Sequence, residues 1–199
     1  MQRQLAIVSG PRGSGKTALC LRLVDRARQY RLNCAGLISP ARFEGGRKVG
    51  IDLLDVRSSE YRLLAQADGL PGELRTAAFR FDTEAVKWGA WLLTEACPCD
   101  VLIVDELGPL ELERGQGWAN ALDVLRNGQF QLAVVVVRPT LVNVFRRLMG
   151  HVPSLFQAES LFALPDVNAE DRAIRVMSML NSQVMDLNQR PPGSLSPIG

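Results

Sequence analysis

The chain has 199 residues, 47% of them hydrophobic, which suits one domain with a buried core. Its 23 basic and 21 acidic residues are spread along the chain and leave a formal net charge of +2, which excludes the basic footprint expected of a nucleic-acid or anionic-membrane binder. The apolar stretch in MQRQLAIVSG is too short for a signal-peptide core, and LAVVVV from Leu132 is far short of a membrane span, so no membrane partner and a cytoplasmic location are expected.

In chain order, QLAIVS (4–9) is a short apolar run broken by Gly-Pro, as a buried parallel strand would be. A helix is predicted from 16 to about 30, where Leu19, Leu23, Val24 and Ala27 recur at three and four and Arg22, Arg26, Arg28 and Arg31 make a solvated face. Residues 34–65 are β-rich with a Gly45-Gly46 turn, and predict an antiparallel hairpin or three-stranded meander inserted in an α/β frame. A loop over 66–78 and a short strand at 79–81 follow, and then Asp82 caps a helix over 83–96.

DVLIVDELGPLEL (100–112) is an apolar strand that ends in two carboxylates and a Gly-Pro break. A helix over 117–127, a core strand over 131–137 and a helix after Pro139 continue the strand–helix alternation of a parallel α/β sheet. A strand near 155–163 and a helix over 169–186 complete a domain spanning 1–187, and the Pro-, Gly- and Ser-rich segment 188–199 is expected to be a disordered tail. Cys20, Cys34, Cys97 and Cys99 lack the paired spacing of a zinc ribbon and are expected to be structural thiols. His151, in a Gly-His-Val-Pro loop, is expected at the surface, and Trp88, Trp91 and Trp118 as core or interface anchors.

Two segments carry chemistry. Gly10-Pro11-Arg12-Gly13-Ser14-Gly15-Lys16-Thr17, followed by Ala18, fits the phosphate-binding pattern G-x-x-x-x-G-K-[ST] with the strand and helix it requires. Glycines let successive N–H groups converge on phosphate oxygens at a helix N-terminus, Lys16 adds a point charge at the β and γ phosphates, and Thr17 offers a hydroxyl to Mg²⁺. Arg12 either flanks the phosphates or turns to solvent. VLIVDE (101–106) then delivers Asp105 to a strand's C-terminal end as the partner Mg²⁺ ligand, and Glu106 as the residue that polarises water for attack on the γ-phosphate. Arg138 ends the strand 131–137, where it either reaches the γ-phosphate as a sensor or cis arginine finger or is merely solvated.

GPRGSGKT, GLISPARFEGGRKVGIDLLD and VDELGPLEL, in that order, resemble the nucleoside-triphosphatases of the THEP1 family over roughly residues 4–180. NAEDR (168–172) is similar to that family's Asn-Arg motif, with Glu170 and Asp171 where the family has an Asn directly before its Arg. The chain also departs from the family's Glu-x-Arg after the second strand, having Pro40-Ala41-Arg42-Phe43. The resemblance implies a RecA-like P-loop fold and Mg²⁺-dependent NTP hydrolysis, with ATP and GTP both substrates. It also implies roles for Glu111 and for Arg47 and Gly50 of the hairpin.

The expected function is therefore Mg²⁺-dependent cleavage of the β–γ phosphoanhydride, and no base-reading motif such as Asn-Lys-x-Asp restricts the nucleotide. One alternative is a small-molecule or nucleotide kinase on the same loop. The other is a nucleotide-gated binding module with slow hydrolysis, whose protein partner meets the hairpin 34–65.

Overall fold

The computed structural model describes residues 3–67, 79–150 and the strand 155–158. The expected helix over 169–186, the motif 168–172, the tail 188–199, His151 and most of the loop 66–78 lie outside the described residues.

Four unbroken apolar runs become strands buried on both faces: β1 (Arg3–Val8), β2 (Cys34–Ile38), β7 (Val101–Leu107) and β8 (Leu132–Val137). They pair in parallel, with β9 (Leu155–Ala158) added beside β1, in the order β2-β7-β8-β1-β9. The strand that feeds the glycine loop and the strand that ends in the carboxylates are thus separated by β8. Leu37, Val104, Val135 and Ile7 stand level across the sheet, so the glycine loop after Val8 and the carboxylates after Val104 leave from the same edge.

Period-two alternation sorts the core into two halves. Ala6, Val8, Val101, Ile103, Val134 and Val136 meet Leu19, Leu23, Val24 and Ala27 of α1 (Lys16–Gln29) on one face. Leu5, Ile7, Leu102, Val104, Val135 and Val137 meet α2 (Thr83–Thr94), α4 (Ala121–Asn127) and α5 (Val142–Met149) on the other, through Leu93, Leu125 and the fully buried Phe145. Asp82 caps α2 as expected, its carboxylate accepting from Ala85 N–H at 2.7 Å. No helix among the described residues is long and apolar enough to cross a membrane.

The antiparallel meander expected at about 34–65 is present with its start shifted. All five residues of β2 are buried, and β2 pairs in parallel with β7 as part of the frame. The antiparallel part comprises β3 (Ala41–Glu44), β4 (Arg47–Asp55), β5 (Tyr61–Gln66) and β6 (Arg80–Phe81), which extend the same sheet beyond β2. The apolar segment 100–112 also divides: β7 ends at Leu107, and Gly108-Pro109 turns the chain into a short α3 (Pro109–Leu112), because proline cannot donate to a ladder. The helix expected over 117–127 begins only at Ala121. Of the helix-one arginines, Arg28 departs from the solvated reading, since its guanidinium donates to Val56 O and to Ser59 Oγ and ties α1 to the β4–β5 turn.

Candidate active site

The glycine loop wraps because Gly13 and Gly15 sit at φ +80° and +84°, left-handed values that a side chain resists. Gly15 leads directly into α1, so the loop's N–H groups and the helix's positive end share one concavity. Lys16 is buried at its floor, its ammonium donating to Gly10 O at 3.0 Å and Pro11 O at 2.8 Å. Gly10, Pro11, Arg12, Gly13, Gly15, Lys16 and Thr17 all line a cleft of about 790 Å³. Ser14 and Ala18 do not: Ser14 is half-buried with an unpartnered hydroxyl, and Ala18 is exposed on the first turn of α1.

Asp105 and Glu106 enter the cleft because the β7–β8 register shifts between Val104 and Leu107, which releases both from the ladder. Asp105 is buried, and that burial pushes its carboxyl up to about 6. A hydrogen bond from the Thr17 hydroxyl and one from Ser39 N–H, at 3.3 Å, work in the opposite direction. Ser39 also donates its hydroxyl to Asp105 O at 2.7 Å. A hydroxyl and a buried carboxylate in direct contact form a hard, all-oxygen donor pair that fits Mg²⁺ better than a soft metal.

Glu106 is half-buried at the mouth and accepts from Arg138 Nε at 2.6 Å. Arg138 is therefore in the cleft, engaged with the water-polarising candidate. Past this pair the wall continues to Glu111, whose carboxylate accepts from Gly108 N–H at 2.9 Å and from Trp118 N–H at 3.5 Å. Burial raises the Glu111 carboxyl, and the Gly108 N–H counters it. A Cβ on Gly117 would stand 2.4 Å from Glu111 Oε1, so Glu111 fits against bare backbone and fixes the α3 turn. Trp118 is buried with its indole N–H on Val86 O at 3.1 Å, whereas Trp91 is exposed.

The antiparallel extension supplies the remaining wall through Ala41, Phe43, Lys48, Ile51, Leu64, Phe79 and Phe81. Two hairpin residues singled out by resemblance lie elsewhere. Arg47 is exposed opposite Glu44, and Gly50 is a packing glycine whose Cβ would stand 2.8 Å from Ala65 O. Arg42 points to Asp52, 2.7 Å away. Ser39 and Lys48 are among the cleft residues that sequence reasoning missed. Ser39 carried a usable signal, since it follows an all-apolar strand at the ligand-binding edge of a parallel sheet. Lys48 carried none, because only the hairpin's fold over the cleft brings it there. The four cysteines are free thiols, and all but the half-buried Cys97 are buried.

A family model described as NTPase matches residues 5–156. The nucleoside-triphosphatase THEP1 of Caldivirga maquilingensis is 26% identical over 179 residues, covering 90% of this chain and 96% of that protein. That of Ignicoccus hospitalis is 33% identical over 106 residues, 53% of this chain and 60% of that protein. Among solved structures, a human cancer-related nucleoside triphosphatase superposes with a TM-score of 0.61 at 19% identity, covering 95% of this chain and all of that one. THEP1 of Aquifex aeolicus superposes at 0.58 with 14% identity, covering 94% and 99%. These two likenesses establish the shared fold.

Proposed function

Since the chain belongs to the NTPase family of the THEP1 nucleoside-triphosphatases, we propose that its cleft hydrolyses the β–γ phosphoanhydride of ATP, GTP and other NTPs in an Mg²⁺-dependent reaction. The observation that carries this reading is the convergence of Lys16, Thr17, Asp105 and Glu106 on one cleft from two strands that are not neighbours. Thr17 and Asp105 would hold Mg²⁺, which supplies charge neutralisation at the β and γ phosphoryl oxygens.

Lys16 leaves its loop carbonyls for the β and γ phosphates, and the loop N–H groups orient the chain of phosphates. Glu106 accepts a proton from the attacking water and aims its lone pair in line with the leaving oxygen. Arg138 holds the Glu106 carboxylate in place and stands within the cleft as a cation for the charge that develops on the γ-phosphoryl group. The buried floor around Asp105 excludes bulk water, which strengthens each of these interactions.

Glu106→Gln tests the assignment. It keeps the shape and the Arg138 contact but removes the base, so single-turnover phosphate release falls by about 10²–10⁴-fold with nucleotide Kd nearly unchanged. Wild-type hydrolysis in this variant would refute Glu106 as the base.

The cleft's continuation beyond Glu106, along Phe79, Phe81 and Trp118, favours one second reading: phosphoryl transfer to a small apolar acceptor seated there. Transfer predicts that released phosphate falls short of NTP consumed when an acceptor is present, while hydrolysis predicts equality.

A further inference from the structure

We propose that Lys48 is a substrate-contacting residue: carried to the cleft by the β3–β4 hairpin, its ammonium binds the terminal phosphoryl group. This inference rests on the NTPase reading and names a residue for it that neither the phosphate loop nor the acidic strand contains.

Placement is the first support. Lys48 is half-buried on β4 and lines the same cleft as the phosphate loop and both carboxylates. Arg12, Glu106, Asp105 and Arg138, the charged groups that act on it, all line that cleft with it. Those two acids mark the γ end of a bound triphosphate, so a cation beside them meets the terminal phosphoryl group and not the α-phosphate.

Chemistry is the second. Among the described residues Lys48 ends in no hydrogen bond or ion pair, and its Nζ stands 5.0 Å from the centroid of the Phe79 ring. The neighbouring carboxylates are already engaged, Asp105 by Thr17 and Ser39 and Glu106 by Arg138. Burial, with Arg12 next in weight, lowers the Lys48 pKa, and Glu106 and Asp105 act in the opposite direction. An anion arriving at this position meets an ammonium that forms no ion pair among the described residues. Arg12, Lys16, Lys48 and Arg138 then surround the phosphates from the loop, the helix start, the hairpin and the end of β8, which is the arrangement that stabilises spreading phosphoryl charge.

The test compares triphosphate with diphosphate. Lys48→Met keeps the stem over Phe79 and removes the charge, and Lys48→Gln provides a second, polar variant. For both, the expected result is about a tenfold weaker Kd for β,γ-methylene-ATP, an ADP Kd within about twofold of wild type, and kcat lower by about 10²-fold. Lys48→Arg restores a substantial part of kcat, because charge and not shape is the requirement. Equal weakening of ADP and the triphosphate analogue would place the ammonium away from the γ-phosphoryl group and overturn the proposal, and so would unchanged kcat in both variants. Glu106→Gln is run alongside. Wild-type phosphate release is the control for the assignment itself: if the wild-type protein releases no phosphate from any NTP, the NTPase reading of the cleft fails; if wild type hydrolyses NTP, Glu106→Gln is impaired and both Lys48 variants match wild type, only the Lys48 inference fails.

Discussion

Lys16 is held by two carbonyls of its own loop and is buried, so it stabilises the empty loop as well as awaiting phosphate. Lys16→Ala would remove both contributions, whereas Lys16→Met keeps the stem. The methionine variant is expected to lose NTP affinity by about 100-fold or more, in line with about 3 kcal/mol for losing charged hydrogen bonds to phosphate, with circular dichroism close to wild type and nucleotide-free melting lowered by the loss of the two loop hydrogen bonds. Asp105 gives the residue scale its pH dependence. Its carboxyl is raised from an ordinary 3.8 to about 6, mainly by desolvation. The folded state therefore holds the proton where the unfolded chain has released it, so stability is greatest below pH 4 and is lost as pH rises to about 6. Asp105→Asn, measured by urea unfolding without metal, should match wild type near pH 4 and exceed it by on the order of 3 kcal/mol above pH 6. With Mg²⁺ and nucleotide the order reverses, because the charged form binds the cation. An Asn variant as Mg²⁺-responsive as wild type would remove Asp105 from the metal site.

At the scale of elements, the frame depends on a glycine inside a central strand. Gly36 of β2 sits at φ +105°, and a Cβ there would stand 2.0 Å from Ile103 O on β7. Neither the backbone conformation nor the space tolerates a side chain, so Gly36→Ala should destabilise by about 3 kcal/mol or more by chemical denaturation, through strain and forced separation of β2 from β7. Gly46, at φ +78° in the β3–β4 turn, faces open space, and Gly46→Ala should cost only about 1 kcal/mol. Equal costs would show that the β2–β7 contact yields easily. Because Ser39 directly follows β2 and the hairpin begins beyond it, the Gly36 variant should also weaken nucleotide binding, through both Asp105 and the hairpin wall.

At the scale of the molecule, one cleft collects side chains from both ends of the sheet order. The loop after β1, the acids of β7, Arg138 after β8 and the wall from β3 to β6 move independently only if the sheet parts. On the proposed reading a bound nucleotide would bridge them all, so saturating Mg·ATP at about 100 times Kd should stabilise the fold by about 2.7 kcal/mol, which for a chain of this size raises Tm by roughly 5–10 °C. Lys16→Met should show little of this shift, as read by scanning calorimetry.

The sequence by itself determined most of the parallel frame, because the apolar runs that became β1, β7 and β8 have no polar face and read as strands covered on both sides. It also made the phosphate-loop pattern and the Asp105-Glu106 pair legible as candidates, because their signals are local: a glycine pattern at a strand–helix junction and acids at a strand end. Tertiary structure alone decided the rest. That Cys34–Ile38 belongs to the frame and not to the meander depends on its neighbour β7, 63 or more residues on in the chain. That Arg138 meets Glu106, that Ser39 cradles Asp105 and that Lys48, not Arg47, faces the cleft are all set by which strands lie side by side and by a one-residue register. Side chains alternate faces along a strand, so a shift of one position in β4 would have exchanged Lys48 with Arg47.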